Sequence, residues 1–120
     1  MNRKWLMLVL GSLVYILSSG VFADQFARGE LTARLYGGES IYFGISPQPA
    51  ETCSYWGEHF VFDGATSGGK NMLSMLLTAK HGNYKVHVWY KESSTPSVDQ
   101  DNGCRPNTMA RVYHIAVVDP

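Results

Sequence analysis

The chain has 120 residues, with ten basic and ten acidic side chains and a formal net charge of zero at neutral pH. Two of the basic residues, Arg3 and Lys4, lie at the start, so residues 24–120 hold eight basic and ten acidic side chains. This slightly acidic balance argues against a nucleic-acid partner, which needs clustered positive charge, and against a polybasic membrane patch. The length of residues 24–120 is enough for one domain with a hydrophobic core.

Residues 1–23 have the pattern of a secretory signal peptide. The two basic residues precede an apolar run from Trp5 to Leu17, and small residues follow up to Ala23. The run is shorter than the roughly 20 residues that span a bilayer, which favours cleavage after Ala23 over a retained membrane anchor. We therefore expect residues 24–120 to form a single domain, secreted or periplasmic, with no membrane anchor after cleavage.

Five strands and one helix are predicted in the order β-β-β-α-β-β. Strands are indicated by alternating apolar and polar residues or by aromatic and β-branched runs, and the helix by apolar residues at helical spacing. The predicted strands are 29–36, 41–45, 56–62, 86–90 and 109–118, and the predicted helix is 70–80. Thr66 or Ser67 is expected to cap the helix at its start, and Gly82 is expected to end it in a left-handed conformation.

This order is typical of the OB-fold, a small Greek-key β-barrel, with its helix between the third and fourth strands. Closure of a barrel also hides strand edges that would otherwise pair with other chains. We therefore predict a mainly β, OB-like barrel over residues 24–120. An ordinary α+β sheet with the helix on one face is the alternative fold.

The only two cysteines, Cys53 and Cys104, both lie in the part expected to be exported. In an oxidising compartment we expect one intramolecular disulfide between them, joining the loop after strand two to the loop after strand four. It would close a loop of about 50 residues and stabilise the fold by about 4 kcal/mol in the chain-entropy model. Two free thiols, a bridge between chains and metal binding are the alternatives.

Motifs for catalysis, nucleotides and metals are weak. The segment 64–71 approximates a P-loop, but Asn71 stands where Ser or Thr would hold magnesium, and no parallel βαβ unit is predicted. No GxSxG motif is present. His59, His87 and His114 could converge on zinc from three predicted strands, although half-exposed strand histidines fit the pattern better. We predict no catalytic residue, no metal and no cofactor.

Tyrosine and tryptophan are frequent for a domain of this size. Their rings combine an apolar face with a polar edge, which suits a surface that binds sugars or proteins. Packing between neighbouring strands of a barrel is the alternative role for each of them. The residues concerned are Tyr36, Tyr42, Tyr55, Trp56, Tyr84, Trp89, Tyr90 and Tyr113.

The sequence GKNMLSMLLTAK at 69–80, KVHVWY at 85–90 and the late Gly103-Cys104 pair resemble the binding (B) subunits of subtilase cytotoxin and related pertussis-like toxins. The signal peptide and the cysteine before the third strand belong to the same similarity, which covers most of residues 29–118. The resemblance implies an OB-fold, a ring-shaped pentamer and binding of sialylated glycans.

The same resemblance indicates which residues would contact a ligand. In that family a tyrosine at the end of the fourth strand lines the sugar pocket, and Tyr90 occupies the similar position with Trp89 beside it. A serine just before the first strand also contacts sugar there, and Arg28 stands at that place in this chain. We therefore predict Tyr90, Arg28 and Trp89 as ligand-binding residues.

The function predicted from these features is a secreted, non-enzymatic binding module that recognises a glycan or an extracellular or periplasmic protein, as a possible homo-oligomer. A periplasmic or secreted structural or inhibitor protein without a small ligand is one alternative. A small secreted hydrolase with Ser, His and Asp side chains from separate strands, or a metal-binding protein that uses the histidines noted above, is the other.

Overall fold

The computed structural model describes residues 23–119, so the predicted signal peptide lies outside the described residues except for Ala23. The elements are β1 (Asp24–Gly37), β2 (Ser40–Ser46), β3 (Phe60–Asp63), α1 (Ser67–Gly82), β4 (Lys85–Lys91) and β5 (Ala110–Val118). A short 3₁₀ turn, Gln100–Asn102, lies in the long loop between β4 and β5. Within residues 23–119 no helix is long and apolar enough to cross a membrane.

The five strands close into a barrel in the order β1-β2-β3-β5-β4. Four of the strand pairs are antiparallel, and the short contact between β3 and β5 is parallel. β1 is long enough to pair with β4 along its first half and with β2 along its second half, which joins the two sides of the barrel. The prediction of a mainly β fold with five strands and one helix is confirmed, and its β-structure is a closed barrel.

β1 begins at Asp24, five residues before the predicted start at residue 29. Residues 24–30 pair with β4 without interruption. The prediction missed this part because the apolar side chain of Phe26 points outwards and remains 50% exposed, whereas the neighbouring inward positions hold Gln25 and Ala27. In the first half of β1 a large apolar residue therefore faces outwards and a polar residue faces inwards, the reverse of the alternation expected of a strand with one buried face.

β3 is shorter than predicted and begins at Phe60 instead of residue 56. The aromatic and β-branched run that suggested a longer strand is interrupted by a tight turn at Trp56 and Gly57, whose φ angles are +52° and +91°. Positive φ angles at two successive residues are incompatible with an extended strand. The turn therefore separates Trp56 from β3.

The barrel interior is filled by side chains from the strands and from α1. Three aromatic rings pack at its centre: Phe60 lies 5.1 Å from Phe43 and 4.8 Å from Tyr90, measured between ring centroids. These distances are within the range of favourable aromatic pairs. A second, smaller cluster lies under the loops and contains the two cysteines with Val61 and Met109.

Helix α1 starts three residues before the predicted boundary and follows β3 directly. The side chain of Thr66 accepts a hydrogen bond from the backbone N–H of Gly69 at 2.9 Å, so Thr66 and not Ser67 is the N-cap. The predicted left-handed stop at Gly82 is wrong, because Asn83 has the left-handed conformation, with φ +58°. Gly82 is the last helical residue, and a Cβ there would lie 2.4 Å from the ring of Tyr84. In space α1 packs against β5 and β4.

The predicted disulfide between Cys53 and Cys104 is present, and both residues are buried. It joins the loop between β2 and β3 to the loop between β4 and β5, as the element order suggested. Backbone hydrogen bonds reinforce this connection, since the N–H of Ser54 donates to the carbonyl of Val98 at 2.9 Å. The two loops therefore form one ordered layer at one end of the barrel.

Candidate functional site

The outer surface of β1, β4 and β5 brings together five side chains that we call the aromatic face: Phe26, Arg28, His87, Trp89 and His114. Phe26 pairs with Trp89 across the sheet, Arg28 pairs with His87, and Trp89 pairs with His114. Directly opposed residues on neighbouring strands project from the same side of a sheet. The expected alternation of His87 and Trp89 with buried Val86 and Val88 is confirmed.

The rings of the aromatic face contact one another. Between ring centroids, Phe26 lies 5.1 Å from His87 and 5.0 Å from Trp89, and Trp89 lies 4.9 Å from His114. The His87 and His114 contacts are edge-to-face, an arrangement that aromatic quadrupoles favour by about 0.5–1.5 kcal/mol for each pair. The outcome is a continuous aromatic surface on the outside of the barrel, with Phe26 half exposed.

Positive charge lies next to these rings. Arg28 is exposed, and within residues 23–119 it forms no ion pair and no side-chain hydrogen bond. Lys91, at the end of β4, is different because it forms an ion pair with Asp24 and lies 5.8 Å from the ring centroid of Tyr113. The hydrogen bond to Asp24 raises the pKa of Lys91. Arg28 is thus the cation of this face that remains available to an anionic ligand.

Tyr90 lies on the opposite side of β4 from Trp89. Its side chain is fully buried, and its hydroxyl donates a hydrogen bond to the backbone carbonyl of Ala50 at 2.7 Å. Burial, with a smaller contribution from Glu51, raises the pKa of Tyr90 to about 12. Of the three predicted ligand-binding residues, the structure places Arg28 and Trp89 on one face and Tyr90 in the core, where its ring is out of reach of a ligand on that face.

Trp56 has the most exposed aromatic side chain of residues 23–119, and it was not among the predicted site residues. It lies with Gly57 in a two-residue turn between Tyr55 and Glu58, whose backbones exchange hydrogen bonds of 2.8 and 3.0 Å. The Trp56 side chain is 60% exposed. Gly57 is a residue typical of turns, but tryptophan rarely has a positive φ angle, so sequence patterns do not predict a turn that begins at Trp56.

An ion pair supports this turn. The carboxylate of Glu58 is 1% exposed and accepts hydrogen bonds from Nε and Nη2 of Arg34 at 2.8 and 2.9 Å. Nη2 of Arg34 also donates to the carbonyl of Trp56 at 3.0 Å. The hydrogen bond with Glu58 raises the pKa of Arg34. One guanidinium thereby connects β1 to both a buried carboxylate and the turn backbone.

The histidines do not converge as a zinc site would require. His59 is buried, and its Nδ1 accepts a hydrogen bond from the backbone N–H of Ile45 at 3.3 Å. Burial lowers the pKa of His59, against the opposing effect of Glu58. His87 and His114 lie on the aromatic face instead. In the part of the chain that the structure describes, no three His, Cys, Asp or Glu side chains are placed to hold a metal ion.

Comparisons of this chain with protein-family models, with curated proteins and with solved structures find no match. The structural features that bear on function are the aromatic face, the Trp56 turn and the disulfide-linked barrel. Of these features, the aromatic face contains two of the three residues that the resemblance indicates.

Proposed function

We propose that this chain is an exported binding module with an OB-like barrel that recognises acidic glycans through its aromatic face. The strand order β1-β2-β3-β5-β4, with α1 following β3, supports the OB-like assignment. The signal-peptide pattern and the disulfide support export, because disulfides persist in oxidising compartments. The proposal includes no enzymatic activity.

The observation that best supports this function is the uncommitted guanidinium of Arg28 beside the packed rings of Phe26 and Trp89. A sugar ring presents an apolar C–H face that packs on aromatic rings. A carboxylate on the sugar would pair with a guanidinium, which offers two parallel N–H donors. The resemblance to toxin B subunits, whose ligands are sialylated glycans, agrees with this chemistry and also suggests a ring of several copies.

The experiment is a glycan array probed with the purified protein and with two charge variants. Arg28→Gln removes the cation of the aromatic face, and Lys70→Gln removes an exposed cation on α1 as the matched control. We expect sialylated glycans to bind the wild type and the control, and affinity to fall about tenfold or more in Arg28→Gln, the loss of one charge-assisted contact. Equal binding by both variants, or no acidic glycan bound, would contradict the proposal.

A protein partner is the second candidate, and the half-exposed Phe26 favours it. Phenylalanine has no polar edge for sugar hydroxyls, whereas aromatic side chains and arginine are enriched in the centres of protein interfaces. Stoichiometric co-purification of an exported protein, lost on Phe26→Ser and accompanied by a blank glycan array, would select this candidate.

A further inference from the structure

We infer that the Trp56 turn and the cavity next to it form a second ligand site, which takes a neutral saccharide. This site is separate from the aromatic face and does not depend on the function proposed above. Arg34, which binds the turn, lies six residues along β1 from Arg28, a separation of at most about 20 Å at the rise of an extended strand, because the pairing of β1 is irregular between Leu31 and Leu35. The two regions can therefore be occupied independently.

Trp56 is held in a backbone conformation that a bulky side chain disfavours. Its φ of +52° is an outlier for a bulky side chain, and in two-residue hairpin turns this position normally holds Asn, Asp or Gly. Backbone conformations of this kind persist where the surroundings impose them, and they concentrate at functional sites. This unfavourable backbone conformation places the indole ring at the protein surface.

Hydrogen bonds to both the carbonyl and the N–H of Trp56 stabilise this conformation. The carbonyl of Trp56 accepts from Nη2 of Arg34 at 3.0 Å, and its N–H donates to Oε1 of Gln100 at 3.1 Å. The buried carboxylate of Glu58 orients Arg34, and the disulfide at Cys53 lies three residues before the turn. A turn whose backbone is held in place before binding loses little backbone freedom when a ligand stacks on its side chain.

The indole ring is available to such a ligand. Trp56 is 60% exposed, and its ring contacts no other aromatic ring among residues 23–119. This distinguishes it from Trp89, whose ring is in contact with Phe26 and both histidines of the aromatic face. A flat and open indole is suited to stacking against the C–H face of a sugar.

A cavity of about 460 Å³, open to solvent, lies close to the turn, although neither Trp56 nor Gly57 lines it. Ser54, two residues before Trp56, forms a β-bridge with Asp99, and Gln100 next to Asp99 is the residue that bonds to Trp56. Five of the six residues that line the cavity have polar side chains, which can hydrogen-bond to the hydroxyl groups of a sugar, and one is apolar. Its lining residues are Gln48, Ser54, Ser97, Val98, Asp99 and Asn102.

Several hydrogen-bonding atoms of this cavity are unused. Within the described range the hydroxyls of Ser54 and Ser97 have no hydrogen-bond partner, and Asp99 uses only Oδ1, to Asp101 and Asn102. Hydroxyl and carboxylate oxygens match the hydroxyl groups of a sugar. The lining contains an acid and no basic side chain, which disfavours an anionic ligand. The chemistry thus indicates a neutral saccharide.

The test uses the fact that the chain has three tryptophans, Trp5, Trp56 and Trp89. In full-length protein, Trp5→Phe combined with Trp89→Phe leaves Trp56 as the only indole, and Trp5→Phe combined with Trp56→Phe leaves Trp89. Both proteins are titrated with lactose, maltose and N-acetyllactosamine, and separately with sialyllactose, while tryptophan emission is recorded. Circular dichroism of each protein verifies that the fold is retained.

We expect at least one neutral disaccharide to produce a saturable emission shift in the protein that retains Trp56 and none in the protein that retains Trp89. Trp56→Ala is expected to weaken that binding, measured by calorimetry, about tenfold or more. The inference is overturned if no neutral disaccharide shifts Trp56 emission, or if Trp56→Ala binds as tightly as the wild type. A response of Trp89 to sialyllactose alone would support the proposed function and overturn this inference.

Discussion

At the scale of single residues, Tyr90 shows how the two sides of a strand separate neighbouring residues that are predicted to bind a ligand together. Trp89 and Tyr90 are neighbours in the chain, yet one ring belongs to the aromatic face and the other to the core. The hydroxyl of Tyr90 reaches the carbonyl of Ala50 and so ties β4 to the loop after β2. Its contribution is therefore to stability, and we expect a stability measurement to reveal it.

Tyr90→Phe is predicted to lower the free energy of unfolding by about 1 kcal/mol near neutral pH, the typical net value of one hydrogen bond. The free energy of unfolding of the wild type should fall by about 2–3 kcal/mol between pH about 10 and about 12, because the pKa of Tyr90 rises from 10.0 to about 12 on folding. The neutral phenol is favoured in the folded state, so its contribution is complete below pH 10 and disappears as pH rises through 12.

Urea unfolding of wild type and Tyr90→Phe across this pH range measures both effects. The difference between the two proteins isolates Tyr90 from other groups that titrate at high pH. Acidic-glycan binding by Tyr90→Phe should equal that of the wild type. A large loss of binding with unchanged stability would show that Tyr90 contacts the ligand after all.

At the scale of elements, the ends of α1 illustrate which local signals sequence patterns contain. The presence of an N-cap before the helix was expected, but two neighbouring hydroxyl residues could provide it. The structure selects Thr66, whose Oγ1 accepts from Gly69 at 2.9 Å while its hydroxyl donates to the carbonyl of Asp63 at 3.2 Å. Asn83, and not Gly82, adopts the left-handed conformation that ends the helix. Gly82 remains helical, and the ring of Tyr84 leaves no space for a Cβ there.

Thr66→Ala is predicted to destabilise the protein by about 1 kcal/mol, since it leaves a helix N–H without its side-chain acceptor. Ser67→Ala is the matched control and should change stability by no more than about 0.5 kcal/mol. Chemical denaturation of the two variants in parallel measures the difference. Equal destabilisation by both would mean that Ser67 shares the capping role.

At the scale of the whole molecule, closure of the barrel depends on contacts distant in sequence. β1 pairs with both β2 and β4, and the disulfide joins the two long loops over the cluster of Val61 and Met109. The same loop layer contains the Trp56 turn through the hydrogen bond to Gln100. Stability of the barrel and presentation of Trp56 are therefore linked through one covalent connection.

Replacement of Cys53 and Cys104 together by Ala is predicted to lower the free energy of unfolding by about 4 kcal/mol, the value expected for closing a loop of this length. Thermal and urea unfolding, with the reduced wild type as a second comparison, provide the measurement. If the indole is held by this layer, the variant should also show weaker saccharide binding at Trp56 and unchanged binding at the aromatic face. A loss of less than about 1 kcal/mol would contradict the structural role of the disulfide.

The sequence by itself was sufficient for the number and type of the elements, the cysteine pair and the placement of His87 and Trp89 on one side of β4. These features follow from local periodicity and from the oxidising compartment that the signal-peptide pattern predicts, and neither source requires knowledge of distant contacts. The early start of β1 and the late start of β3 could not be predicted from the sequence. Phe26 points outwards where an apolar residue is expected to be buried, and the Trp56 turn interrupts a run of residues that is typical of a strand.

Only the tertiary structure shows which aromatic side chains are accessible to solvent and which polar side chains bond to the residues that carry them. The contacts of Phe26 with Trp89, and of Arg34 with Glu58 and Trp56, join residues that are far apart in the chain. They depend on the register between strands, and a shift of one residue would move every side chain to the other face. Strand register is set by the packing of the complete barrel, and for that reason the binding surfaces could be recognised only after the fold was known.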